Sequence, residues 1–357
     1  MIDRSEQELK MYPDNNWDLM ENNEVGAKAA GGTERYMSFI YNGGIPRELL
    51  ENVQIIPSRL RDLKEDKIRI WFEHNLPNDP ESMKGLKEEE QRKKYHKIVF
   101  LSNWQYQQFM NYSNIPYSPQ STVIEGGFEV DDEPLPTKPD INEQINIAYY
   151  TTPHRGLQLL VPVFKHLAES DPKIHLHVHS SFKMYGWEDR DKQFEALYEE
   201  CRNHPQITYH GFTEYYKLRE LMKNQYHIFA YPSIWPETMC RAVLEGMNFG
   251  LVCVHPNLAA LPDTTGCINP FMYNGSLDPN EHANIFAQIL VQAITALRDN
   301  ADTVNNILLF NKMYTMQRYN TRLVQNKWAN LLKDLNNQYA TEESRKFPKE
   351  ELILRVY

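Results

Sequence analysis

At 357 residues the chain exceeds one ordinary domain of about 100–200 residues, so two domains are expected. Its 41% hydrophobic and 24% charged residues exclude a disordered or fibrous chain, and no apolar run reaches the roughly 18–20 residues of a membrane-spanning helix. The net charge of −10 is concentrated in front, where residues 1–140 hold 17 Lys and Arg against 25 Asp and Glu, a poor platform for nucleic acid or anionic lipid.

The opening segment MIDRSEQELKMYPDNNWDLMENN is polar. It has no apolar core, so no secretory leader is expected. A doubly wound domain usually opens with a buried strand. Here that strand is either degenerate, around Trp17–Met20, or trimmed away. Strand-like runs follow at 52–58, 67–74, 97–103 and 121–127, with helical stretches at 82–95 and 103–112. The charge-rich piece 84–97 reads as a solvated helix face. At 131–144, DDEPLPTKPDINEQ, three prolines and surplus acids break the pattern. Beyond it, strand-like runs at 145–151, 173–180, 206–212, 226–233 and 251–257 alternate with helical stretches at 156–169, 189–203, 213–224, 238–249 and 280–298. The tail 303–337 is helical, with Trp328 on its apolar face.

Strand–helix alternation means βαβ units and a parallel sheet. The expected fold is α/β: two doubly wound, Rossmann-like domains facing a central cleft. The expected divisions are a trimmed N-terminal domain 1–138, a C-terminal domain 139–335 and a charged extension 336–357. Four cysteines, Cys201, Cys240, Cys253 and Cys267, show no CxxC spacing, so a reduced, cytoplasmic protein without a zinc cluster is expected. His175, His177 and His179 share one strand face, which suits hydrogen-bonded filler better than a metal site. No Asp-x-Asp pair stands at a strand end to hold a divalent ion.

The strongest chemical signal is YPSIWPETMCRAVLEGMNFG at 231–250. The pattern predicts a strand ending at Ser233 and a helix opening at Pro236, where a missing amide proton costs little. Glu237 and Glu245, eight residues apart, would then border one cleft about 12 Å apart along the axis. The amides of Thr238, Met239 and Cys240 would be unpaired helix-start donors, suited to phosphate. Glu237 is equally a first-turn acid favoured by the helix dipole, and Glu245 an ordinary surface residue. Yet Glu245 sits among Val243, Leu244, Met247 and Phe249, where an unpaired carboxylate is costly.

This E-x7-E spacing after a YPS strand end resembles the retaining GT-B glycosyltransferases of family 4. Further pieces follow in that family's order: Gly31-Gly32-Thr33-Glu34, IWFEHNLP with His74, VFLSNWQYQQF, VIEGGF, AYYTTPHRGL, LHVHSSF, ITYHGF and HPNLAALPDTTG. The resemblance covers about residues 25–335. It implies the GT-B architecture and transfer of a sugar, with retention, from a nucleotide-diphosphate sugar to a glycan or other acceptor, as in polysaccharide biosynthesis. The implied donor site has Glu245 on the ribose, Arg155 on the pyrophosphate, and Gly31 and Gly32 near the phosphates or sugar, with the amides of Thr238, Met239 and Cys240. The implied catalytic residues are Glu237, on the sugar hydroxyls, and His74, near the anomeric centre. Neither metal nor cofactor is implied; the nucleotide sugar is a substrate.

The chain departs from the family in three places. Tyr149, Tyr150, Thr151 and Thr152 replace the first basic residue of the pyrophosphate site, leaving His154 as the other candidate. Cys240 stands for Gly, and Met239 for Phe. A nucleotide-sugar epimerase on the same fold and a non-catalytic GT-B scaffold are the alternatives. No nucleic acid and no strong membrane binding are expected, and the oligomeric state is left open.

Overall fold

A computed structural model describes residues 31–41 and 44–346. The polar opening with Trp17–Met20 lies outside these residues, as does the end of the tail. Compact contacts divide the chain into two units. One holds the described residues up to Phe128 together with those from Tyr319 on, and the other holds Glu129–Arg318. The division differs from the sequence expectation twice. It falls after Phe128, ten residues before the expected boundary at 138, and the helix Thr321–Gln338 belongs to the front unit.

In the front unit, β1 (Val53–Pro57), β2 (Ile68–Phe72), β3 (Lys97–Phe100) and β4 (Ser121–Val123) pair in parallel in that order. Strands covered on both faces carry continuous apolar runs. Ile55, Ile56, Ile70, Trp71 and Phe72 are accordingly buried. The helix Thr321–Gln338 turns Val324, Trp328, Leu332 and Leu335 inward, and the Trp328 ring meets Phe72 edge-on at 5.0 Å. Where the chain leaves and returns, Phe128 and Asn320 form a parallel bridge. Gly127 permits this approach: a Cβ there would stand 3.2 Å from the backbone of Thr321.

The tail is no loose extension up to Lys346. Arg345 is buried and donates to Asn52 and to the carbonyls of Tyr339 and Ala340. The piece 84–97 is likewise not all solvated face. Arg92 is buried, donating to the carbonyls of Leu86 and Lys87.

The back unit has six parallel strands in the order β10-β9-β8-β5-β6-β7: β5 (Ile145–Tyr149), β6 (Ile174–Val178), β7 (Ile207–Tyr209), β8 (Ile228–Ala230), β9 (Val252–Pro256) and β10 (Met272–Tyr273). β10, two residues long, is too short to leave a pattern in the sequence. The chain runs outward from β5 through β6 to β7, then returns to place β8 on the other side of β5. The strand order therefore reverses between β5 and β8. In open α/β sheets such a reversal opens a crevice at the carboxyl ends of the two strands, where ligands bind.

Candidate functional site

Two loops leave the carboxyl ends of β5 and β8 and pack on each other. The first, 150–156, is fixed through its carbonyls. Thr151 O accepts from Ser180 Oγ at 2.7 Å, Thr152 O from the Tyr149 hydroxyl at 2.9 Å, and Arg155 O from the amide of Ile234 at 3.3 Å. Gly156 closes the loop at φ +131°, and a Cβ there would stand 2.2 Å from the carbonyl oxygen of Pro232. Only glycine meets both conditions.

The contact brings Arg155 to Glu237. The guanidinium pairs with Glu237 Oε1, to which the Tyr231 hydroxyl also donates. Burial disfavours the charge on Arg155, but the Glu237 carboxylate outweighs it and holds the guanidinium pKa well above its usual value. His154 stacks on Phe182 at 5.2 Å and meets Trp235 edge-on at 4.8 Å. Burial, helped by Arg155 and Arg190, lowers its pKa to about 4. It is a neutral imidazole near pH 7 and adds no second cation.

The helix after β8 corrects the sequence reading. It runs over Arg241–Asn248 with Cys240 as its cap, and residues 234–240 form an irregular loop. The neighbouring segment takes the backbone groups that an earlier helix would use. Ala260 N donates to Glu237 O at 3.1 Å, and Cys240 N donates to Thr264 Oγ1 at 3.3 Å. Thr238 and Met239 therefore precede the helix, and the Cys240 amide already has a partner. Glu237 and Glu245 do not share a helix, so the axial separation expected from helix geometry does not apply. Glu245 is buried, which removes the reading of it as an ordinary surface residue. Its Oε1 accepts from Arg241 Nε at 2.7 Å and from the Tyr215 hydroxyl at 2.9 Å. The i,i+4 spacing of Arg241 and Glu245 was readable in the sequence. Tyr215, from the helix Tyr215–Asn224, and Tyr231 come to their carboxylates by tertiary packing alone.

His74, Gly31 and Gly32 belong to the front unit. His74 follows β2, its ring stacked on Tyr36 at 5.9 Å and edge-on to Phe72 at 4.2 Å. Desolvation lowers its pKa to about 3, so it is neutral. Its amide donates to Ser58 Oγ, which itself donates to Glu73 at 2.7 Å. Glu73, missed in the sequence, is fully buried and also accepts from Trp71, Asn75 and Ser82. An acid closing an apolar strand was the available signal. Gly32 opens the helix Gly32–Tyr41, and Gly31 O accepts from Arg35 N at 3.2 Å. A Cβ on Gly32 would meet Tyr36 no closer than 3.6 Å, so space does not demand glycine there. It does at Gly126, where a Cβ would stand 2.2 Å from the Tyr36 ring. Among the described residues no group of three His, Cys, Asp or Glu could hold a metal ion.

Residues 137–265, within the back unit, match the family model of glycosyl transferases group 1. The back unit carries a glycosyltransferase group 1 domain. Solved structures resemble most of the chain. A glycosyltransferase from Rickettsia africae, 18% identical, superposes with a TM-score of 0.62 over 80% of this chain and 77% of that one. HepE of Anabaena in complex with UDP-glucose, 16% identical, gives 0.57 over 75% and 72%. Sucrose-phosphate synthase from Thermosynechococcus elongatus, 14% identical, gives 0.53 over 76% and 68%. The fold is GT-B, with one parallel α/β sheet in each unit. None of the curated proteins compared matches the chain.

Proposed function

We propose that the chain transfers a sugar, with retention of anomeric configuration, from a nucleotide-diphosphate sugar to a glycan-type acceptor. The observation that carries this reading is the part-buried Arg155–Glu237 pair at the reversal between β5 and β8, inside the segment that matches the group 1 model. HepE, a structural neighbour, binds UDP-glucose, which supports a nucleotide sugar as donor.

In this reading Arg155 meets the charge that grows on the departing nucleoside diphosphate, which is electrostatic catalysis in a partly desolvated place. Glu237 accepts from hydroxyls of the transferred sugar, and Glu245 from the ribose hydroxyls. A carboxylate can accept two such bonds at once. Gly31 and Gly32 border the phosphates or sugar. Thr238, Met239 and Cys240 line the donor side as loop, not as helix-start amides. His74, neutral, offers a hydrogen bond near the anomeric carbon and no charge. The reaction needs neither metal nor cofactor in this proposal, and the protein works in the cytoplasm.

The test is incubation with a panel of nucleotide sugars and candidate glycans in excess chelator, following nucleoside diphosphate release and product anomer. Release coupled to an α- or β-product matching the donor supports the proposal. Loss of activity restored by manganese or magnesium removes metal independence. An epimerised nucleotide sugar without transfer replaces the whole reading.

No helix among the described residues is long and apolar enough to cross a membrane. In the one dense basic run, Arg92 is buried and Lys93 pairs with Glu89 and Glu90. Each basic residue near an anionic surface contributes only about 1 kcal/mol. Weak co-sedimentation with anionic liposomes at moderate salt is therefore expected. Tight binding that Lys93→Ser and Lys94→Ser abolish would point to a lipid-linked acceptor.

A further inference from the structure

The loop that carries Arg155 holds several buried polar atoms without a hydrogen-bond partner among the described residues. They are Thr151 Oγ1, Thr152 Oγ1, His154 Nδ1 and Arg155 Nε. Thr151 and Thr152 are 7% and 1% exposed. Native proteins rarely leave such atoms unpaired, because each costs free energy comparable to a lost hydrogen bond. The loop cannot easily turn to satisfy them. Its carbonyls are already committed to Ser180, Tyr149 and Ile234. Two hydroxyls and a guanidinium N–H on one short loop suit a ligand rich in acceptor oxygens. Yet the guanidinium is not vacant: Glu237 occupies it.

Resting on the reading that this is the donor site, we infer that Glu237 discriminates the sugar-bearing nucleotide from the bare nucleoside diphosphate. A phosphate that approaches Arg155 meets the Glu237 carboxylate on the same cation. Two anions sharing one part-buried cation repel. A sugar relieves this repulsion, because its hydroxyls give Glu237 other donors and draw it away from Arg155. A bare diphosphate offers no hydroxyls there. Its terminal phosphate also gains a second ionisation with a pKa near 6, which the sugar ester lacks. Glu237 then stays on Arg155 and opposes the phosphate. The same carboxylate thus favours donor over product and hastens release of the leaving group. Tyr231, which donates to Glu237, holds the carboxylate on the arginine side.

The test is isothermal titration of the full chain with UDP, GDP, ADP and inorganic pyrophosphate. Glu237→Gln, nearly isosteric, should bind the preferred diphosphate and pyrophosphate at least about tenfold more tightly than wild type, as removal of a like charge demands. The gain should vanish when Arg155→Gln is added. Equal or weaker binding by folded Glu237→Gln overturns the inference. If Arg155→Gln alone still weakens binding, the donor-site reading survives that failure. Binding of no nucleotide by either protein overturns both. Should the amide variant fail to fold, Glu237→Asp, one methylene shorter, is expected to give a smaller gain, and its absence overturns the inference equally.

Discussion

Gly156 shows how one residue can decide whether the candidate site exists. Its backbone is left-handed and its α-carbon lies against Pro232. Gly156→Ala would force a methyl group into the Pro232 carbonyl oxygen, so one loop must move. Strained backbone and overpacking each cost about 1–3 kcal/mol. A loss of at least about 2 kcal/mol in denaturant unfolding is expected, together with loss of nucleotide binding. Normal binding would show that Arg155 needs no such support. Glu245 allows a gentler test. Glu245→Gln keeps an acceptor for Tyr215 and Arg241 but removes the charge. Hydrogen bonds to a charged group contribute about 1.5–3 kcal/mol, so nucleoside diphosphate affinity should fall at least about tenfold by calorimetry. Unchanged affinity would remove Glu245 from the ribose. Glu245 could be read in the sequence as an acid in an apolar helix stretch, and the Arg-Gly pair that holds Gly156 came with the family resemblance. Their partners could not be read there, because Pro232 and Tyr215 reach them only when separate elements pack.

Among the elements, the helix Thr321–Gln338 has the largest structural consequence. It follows the back unit in sequence but packs on the front sheet, with Trp328 only 2% exposed against Phe72. Trp328→Ala should cost about 3–5 kcal/mol, as large-to-small changes of buried aromatics do. The loss should appear in the front unit, read by hydrogen exchange in β1 and β2. A loss confined to the back unit would contradict the assignment of this helix. The strand runs themselves were plain in the sequence, since buried parallel strands are continuous apolar segments. Helix starts were less plain. The loop at 234–240 carries the Pro and acid of a good helix start, yet Ala260 and Thr264 claim its backbone. A tertiary competitor of that kind leaves no local trace.

Across the described residues, buried and half-buried neutral histidines set the acid limit. Burial lowers His74 and His177 to about 3, His96 and His255 to about 4, and His179 to about 2. Unfolded, each titrates near 6.5, so the unfolded chain binds more protons between these values. Their contribution is fully present above about pH 6.5 and is lost as pH falls from there through the folded values of about 4 to about 2. Unfolding midpoints in urea should therefore drop steadily between pH 7 and pH 5. A flat profile would mean these rings are solvated. The same histidines mark how far reading the sequence carries. His175, His177 and His179 were legible as one strand face, and the structure packs His177 and His179 against His210 and Tyr226.

By itself the sequence determined the alternation of strands and helices and the two-sheet α/β plan, which follow from short-range apolar runs and turn residues. Glu245 stood out as an acid in an apolar helix stretch, whereas Arg155 and the role of Glu237 came with the family resemblance. Only the tertiary structure decided that Arg155 lies on Glu237, that Tyr215 donates to Glu245, and that the helix Thr321–Gln338 returns to the front sheet. Each of these is a contact between segments far apart in the chain or a choice between competing partners. Local pattern constrains what a segment can bury, but the partner it finds depends on the folded arrangement of every other segment.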